Sequence, residues 1–202
     1  YLDILSSTFL IRQLQPWFYN TRKRLSKRPK MYFRDSGLFH TLLALEDEKD
    51  VTSHPKLGAS WEGFALEQAI QHLNLRHEEV FYWRVHTGAE LDLVFQRKGR
   101  LWGIEVKYTE APTLTRSMTS ALTELSLAHL WVLHPGMDNY PLGKRVSAVS
   151  IHRLASLPVR PSSLSPRLCE APPAPLTLRA APLTQVSSTS PRTPPAPFMR
   201  GD

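Results

Sequence analysis

Glu90-Leu91-Asp92 and Glu105-Val106-Lys107 set carboxylates and an ammonium two residues apart, within segments otherwise built from Leu, Val, Ile and aromatic residues. Strand residues two apart share a face. Glu90 and Asp92 therefore point one way while Leu91, Leu93 and Phe95 point the other, and Glu105 and Lys107 oppose Trp102, Ile104, Val106 and Tyr108. A two-residue turn at Lys98-Gly99 sets Asp92 across from Glu105 and Glu90 across from Lys107. Directly opposed side chains lie about 4.5–5.5 Å apart at Cβ, and like charges there destabilise a sheet unless something sits between them. A divalent cation is the simplest such thing. Carboxylate oxygens hold Mg²⁺ while leaving waters in place, and an adjacent ammonium can orient a water or offset charge on a phosphorane-like centre. The plainer reading is a structural ion pair of the acids with Lys107 or Arg84. Glu62, beside Trp61 and Phe64 in a helical pattern, is by itself an ordinary solvated helix residue.

Several elements must position these groups. Residues 58–73 have helical apolar spacing through Trp61, Phe64, Ala65, Ala69 and Leu73, and Val80-Phe81-Tyr82-Trp83 follows as a strand. After the charged hairpin, residues 112–127 read as a helix with Leu114, Met118, Ala121, Leu122 and Leu125 on one stripe. Residues 128–134 and 145–151 read as strands. This order predicts an α/β fold, a mixed central sheet flanked by helices, over residues 51–155. Residues 1–50 begin with a short helical pattern (Leu2, Leu5, Phe9), then two short strands flank a basic tip, and a helix candidate runs from Ser36 to Leu45. That arrangement resembles the wing of a winged-helix module. The tip holds Arg22, Lys23, Arg24, Lys27, Arg28 and Lys30, which are candidates to contact phosphates or, equally, a solvated loop. Residues 156–202 hold eleven of the seventeen prolines and no lysine, and read as a disordered tail.

Composition limits the partners. A net charge of +7 and a pI near 9.8 favour an anionic partner, DNA first. Apolar runs fall short of the roughly 20 residues that a membrane-spanning helix needs, and the single Cys169 excludes an internal disulfide framework. Both point to a cytoplasmic protein. No H-E-x-x-H, Cys-His spacing or G-x-S-x-G elbow occurs, so zinc and serine-hydrolase chemistry have no motif. Tyr82, Trp83 and Arg84 could stack on bases, although a strand of aromatics more often packs a core.

Glu62, then Asp92, then Glu105-Val106-Lys107, with a hairpin between the last two, resembles the PD-(D/E)xK nuclease superfamily of restriction endonucleases and Holliday-junction resolvases. Residues 30–38 (KMYFRDSGL), 58–62 (GASWE), 82–84 (YWR) and 90–94 (ELDLV) look more specifically like the domain of unknown function that follows an AAA-type ATPase module in many bacterial and archaeal proteins. The resemblance covers residues 1–155. It implies a restriction-endonuclease-like fold, Mg²⁺ or Mn²⁺ on Glu62, Asp92 and Glu105, and Lys107 acting on the attacking water. The proline of the superfamily name is absent, since Leu91 precedes Asp92. No G-x-x-x-x-G-K-[ST] loop occurs, so ATP belongs to an upstream module. Two functional expectations follow: a metal-dependent phosphodiesterase acting on DNA, or a non-catalytic DNA- or protein-binding module serving the ATPase.

Overall fold

Eight strands in one sheet carry the acids in the computed structural model of the chain, which describes residues 1–17, 28–86 and 88–157. All of these lie in one compact unit, residues 1–163. The strands are β1 Ile11–Pro16, β2 Lys30–Phe33, β3 Val80–Arg84, β4 Glu90–Arg97, β5 Arg100–Val106, β6 Leu130–His134, β7 Tyr140–Gly143 and β8 Val146–Ser150. Their order is β2-β1-β3-β4-β5-β6-β8-β7. The sheet is mixed. β1 runs parallel to β3, β5 to β6 and β6 to β8, while the other neighbours are antiparallel. The helices are α1 Leu2–Ser7, α2 Ser36–Leu42, α3 Glu48–Ser53, α4 Leu57–His72 and α5 Arg116–Glu124. None of them is long and apolar enough to cross a membrane.

Two apolar clusters cover the two faces of the sheet. Ala65, Leu66, Ala69, Ile70 and Leu73 of α4 pack with Leu93, Phe95, Ile104, Val106, Trp131 and Leu133. Met118 and Ala121 of α5 pack with Trp83, Leu91, Val94, Leu130 and Val132 on the other face. Central strands buried on both sides are what crossover helices produce. Tyr82 and Trp83 are buried in these clusters, so their rings serve packing. α5 is shorter than the apolar stripe suggests because Thr115 caps it, its hydroxyl accepting from Met118 N at 3.3 Å, and Leu114 stays exposed before the cap.

The two strands expected beside the basic tip are β1 and β2, and they form one edge of the same sheet. Residues 1–50 and 51–155 therefore share a sheet. Arg12 of β1 reaches α4, where its Nε and Nη2 donate to the two carboxylate oxygens of Glu67, both side chains almost fully buried.

The β4–β5 hairpin has the expected turn and register. Arg97 pairs with Arg100, and the ladder runs to Leu93 opposite Ile104. Lys98 and Gly99 take φ of 52° and 72°, the left-handed pair that a two-residue hairpin turn requires. The facing of β4 differs from simple alternation. Phe81 pairs with Val94 and Trp83 with Leu91, so two steps on β3 match three on β4, and a bulge lies at Asp92-Leu93. In consequence Leu91 joins the α5-side cluster, and Leu93 and Phe95 the α4-side cluster.

Candidate functional site

Asp92 follows Leu91 into the bulge and faces α4, where Glu62 sits two turns into the helix. Both carboxylates meet the ammonium of Lys30 from β2. Lys30 Nζ donates to Asp92 Oδ1 at 3.1 Å and to Glu62 Oε1 at 3.3 Å, and it also contacts Glu90 Oε1. Tyr32, two residues on and on the same face of β2, donates its hydroxyl to Glu62 Oε1 at 2.5 Å. Asp92 Oδ2 accepts from Val106 N at 3.0 Å. Glu90 Oε2 pairs with Arg84 Nε at 2.8 Å. Lys107 does not meet Glu90 across the hairpin; its Nζ donates to Glu105 Oε1 at 2.7 Å on its own strand face.

The electrostatics follow from burial. Asp92 is 7 % exposed and Glu105 5 %. Burial, then the charge of Glu62, pushes the Asp92 carboxyl above its usual range, against the opposing pull of Lys30 and the Val106 amide. Burial and the Asp92 charge raise Glu105 to about 7, although Lys107 acts the other way. Burial would lower Lys30, but Asp92, Tyr32, Glu62 and Glu90 outweigh it and hold the ammonium charged well beyond the usual lysine range. Tyr32 is driven up by burial and by Glu62, so its phenol stays a donor. Lys107 is likewise raised by Glu105 despite burial.

The structure thus brings Glu62 and Asp92 together on Lys30 and keeps Glu105 with Lys107. Glu105 nevertheless lies close enough for the Asp92 charge to act on it. Among the described residues no group of three His, Cys, Asp or Glu side chains converges to hold a metal ion. Glu62, Asp92 and Glu105 in this arrangement do not fit Mg²⁺ or Mn²⁺, because an ammonium already lies between two of them. One atom is left over: Glu105 Oε2 is buried and has no hydrogen-bond partner among the described residues. A cleft of about 270 Å³, lined in part by Tyr32, Phe33, Ala59 and Ser60, opens onto Glu62. The larger groove of about 620 Å³ runs along α5 between Leu114 and Glu124 and holds none of the pocket acids.

Of the basic tip, Arg22, Lys23, Arg24 and Lys27 lie outside the described residues. Arg28 is exposed and its carbonyl accepts from the Tyr82 hydroxyl at 2.8 Å. Lys30, counted with the tip by sequence, points into the acids. Its pocket role and that of Tyr32 were hidden by the basic run, although their two-residue spacing on a strand marks a shared face. Arg12 and Glu67 carried no local signal, being 55 residues apart.

Residues 57–154 match the family model of a domain of unknown function, DUF4143, and residues 1–49 that of another, DUF8612. The chain is also similar to the uncharacterized protein Mb2031c of Mycobacterium bovis and the uncharacterized protein Rv2008c of Mycobacterium tuberculosis, each 47 % identical over 149 residues. Those matches cover 74 % of this chain and 33 % of each relative, so the chain spans about a third of the curated relatives it matches.

Proposed function

We propose that this chain is a restriction-endonuclease-like, DNA-associated module of a longer ATPase protein, and that its acid pocket, neutralised by its own lysines, serves as a scaffold and does not cut DNA. The single observation that carries this reading is the Lys30 ammonium seated on Glu62, Glu90 and Asp92. A partly buried ion network of this kind holds three elements in register at little net gain in stability, and its retention fits a specificity role. DNA association is supported by the net charge of +7 and by the basic residues Arg22, Lys23, Arg24, Lys27 and Arg28. Attachment to an ATPase module is supported by the sequence resemblance and by the length of the relatives. Leu2, Ile4, Leu5 and Phe9 expose apolar side chains around α1, the type of surface a larger protein covers.

A Mg²⁺- or Mn²⁺-dependent phosphodiesterase is the second reading, favoured by the unpartnered buried Glu105 Oε2 beside Lys107. The two are separated by incubating the chain and its Lys107→Ala variant with duplex, single-stranded and four-way-junction DNA in Mg²⁺ and in Mn²⁺. The scaffold reading expects DNA binding by both proteins and the same background cleavage from both. Metal-dependent cleavage by the wild type that Lys107→Ala lacks would replace it with the phosphodiesterase.

A further inference from the structure

A cleft of about 380 Å³ lies beside α1, β1 and the segment after α4, with Ser6, Arg12, Arg34 and His77 as its polar lining. Its size is within the range of small-ligand pockets, roughly 300–1,000 Å³, and none of its lining residues is acidic. Lys30 and its carboxylates line no part of it, which makes it independent of the acid pocket and of the scaffold reading. Two guanidiniums meet one carboxylate here. Arg12 donates Nε and Nη2 to the buried Glu67, and Arg34 Nε stops 3.6 Å from Glu67 Oε2, beyond hydrogen-bond reach. Arg12 Nη1 and both Nη atoms of Arg34 have no acceptor among the described residues. The cluster therefore keeps one positive charge in excess, with donors in the planar fork geometry that matches a phosphate.

Of the apolar side chains exposed around α1, Phe9 alone lines this cleft, where the buried Ile11 and Leu75 complete the apolar lining. Its backbone ends α1 in a Schellman motif: Leu10 N donates to Leu5 O, Phe9 N donates to Ser6 O, and Phe9 takes a φ of 61°. Glycine is the usual residue at that left-handed position, and a bulky side chain there is strained. The ring is 72 % exposed, so core packing does not offset the strain. Arg34 lies over it, 5.4 Å from the ring centre, and the Arg34 amide donates to Leu10 O at 3.1 Å, which holds ring and guanidinium on one frame. An open aromatic face thus stands beside unused guanidinium donors. Nucleic-acid bases stack on such faces, and phosphate oxygens accept from such donors.

We infer that this cleft binds a nucleoside phosphate, free or at the 5′ end of a single strand, with the phosphate on the Arg34 and Arg12 guanidiniums and the base on the open face of Phe9. The full chain and its Arg34→Gln and Phe9→Gly variants are titrated by calorimetry with adenosine 5′-monophosphate, adenosine and inorganic phosphate. A short single-stranded oligodeoxyadenylate, with and without a 5′-phosphate, is titrated alongside. The wild type binds adenosine 5′-monophosphate roughly tenfold more tightly than adenosine or phosphate alone, since one stacked base and one charged hydrogen-bond fork each contribute about that much. Arg34→Gln and Phe9→Gly each weaken this binding roughly tenfold, the first by removing the phosphate contact and the second the stack. Phe9→Gly melts no lower than the wild type, because glycine suits the left-handed position, so its loss of affinity is not a loss of fold. Should Arg34→Gln fail to fold, Phe9→Gly carries the comparison. A 5′-phosphate that strengthens oligonucleotide binding in the wild type and not in Arg34→Gln, with no preference for the free nucleotide over phosphate, makes the strand end the source. Wild-type affinity for every probe in both variants, or no binding of any probe by the wild type, overturns the inference.

Discussion

Arg12→Met will destabilise the fold by about 3–5 kcal/mol, toward the lower end, because it leaves the Glu67 carboxylate buried without its bidentate partner. The pair ties β1 to α4, with Nη2 to Oε2 at 3.0 Å and both side chains less than a tenth exposed. Methionine fills much of the space of the arginine stem, so packing loss is small and the charge left behind dominates. Arg34 Nε lies 3.6 Å from Glu67 Oε2 and retains part of the compensation, which is why the lower end is expected. Arg12→Met/Glu67→Leu should recover most of the loss, since an ion pair replaced whole by apolar groups is often neutral. Chemical denaturation of the two variants measures this. A loss below about 1 kcal/mol for the single variant, the range of a surface pair, would mean that the N-terminal strands are not locked to α4 in this way.

The second large effect is a fall in stability as pH rises through the range between the ordinary glutamate value and the raised value of Glu105, about 7. The folded protein holds the Glu105 proton more tightly than the unfolded chain, so it binds more protons between about pH 4.5 and 7 and loses stability with rising pH there, levelling off above. At roughly 1.4 kcal/mol per pH unit the loss amounts to about 3 kcal/mol. Asp92, raised for the same reason of burial, contributes with the same sign. Lys30 and Lys107 are raised from the ordinary lysine value and contribute stability that is fully present throughout this window, so they leave the slope unchanged. Glu105→Gln should flatten the profile and be more stable than the wild type at pH 8. Urea denaturation at pH 5, 6, 7 and 8 checks it, and parallel profiles for the two proteins would assign the slope to other groups.

Much of the scaffold was legible because its signals are local. The α4 stripe, the period-two pattern of β4 and β5, and Lys98-Gly99 at the turn each act over a few residues, and the hairpin register followed from them. The bulge at Asp92-Leu93 was not, since no glycine marks it. It is visible only in the pairing of β4 with β3, and it alone turns Leu91 and Leu93 to opposite faces. β7, a short edge strand containing Pro141, and α3, capped by Asp47, lack the length for a period to show. The acids were found by their oddity among apolar neighbours. What neutralises them was not, because Lys30 reads as the end of a basic run and its partners lie 32 and 62 residues away. A sequence announces a buried charge more readily than the distant charge that accompanies it.

Lys30 is the cation of the acid pocket, and the most direct measurement follows the lysine side chains themselves. In wild-type protein labelled with ¹³C at lysine, the Cε signals are recorded through an alkaline titration, with circular dichroism confirming the fold at each point. Lys30, ringed by Asp92, Glu62 and Glu90, should stay charged well beyond the ordinary lysine value of about 10.4. A Lys30 signal that titrates at the ordinary lysine value would place its ammonium in solvent and contradict its place in the acid pocket.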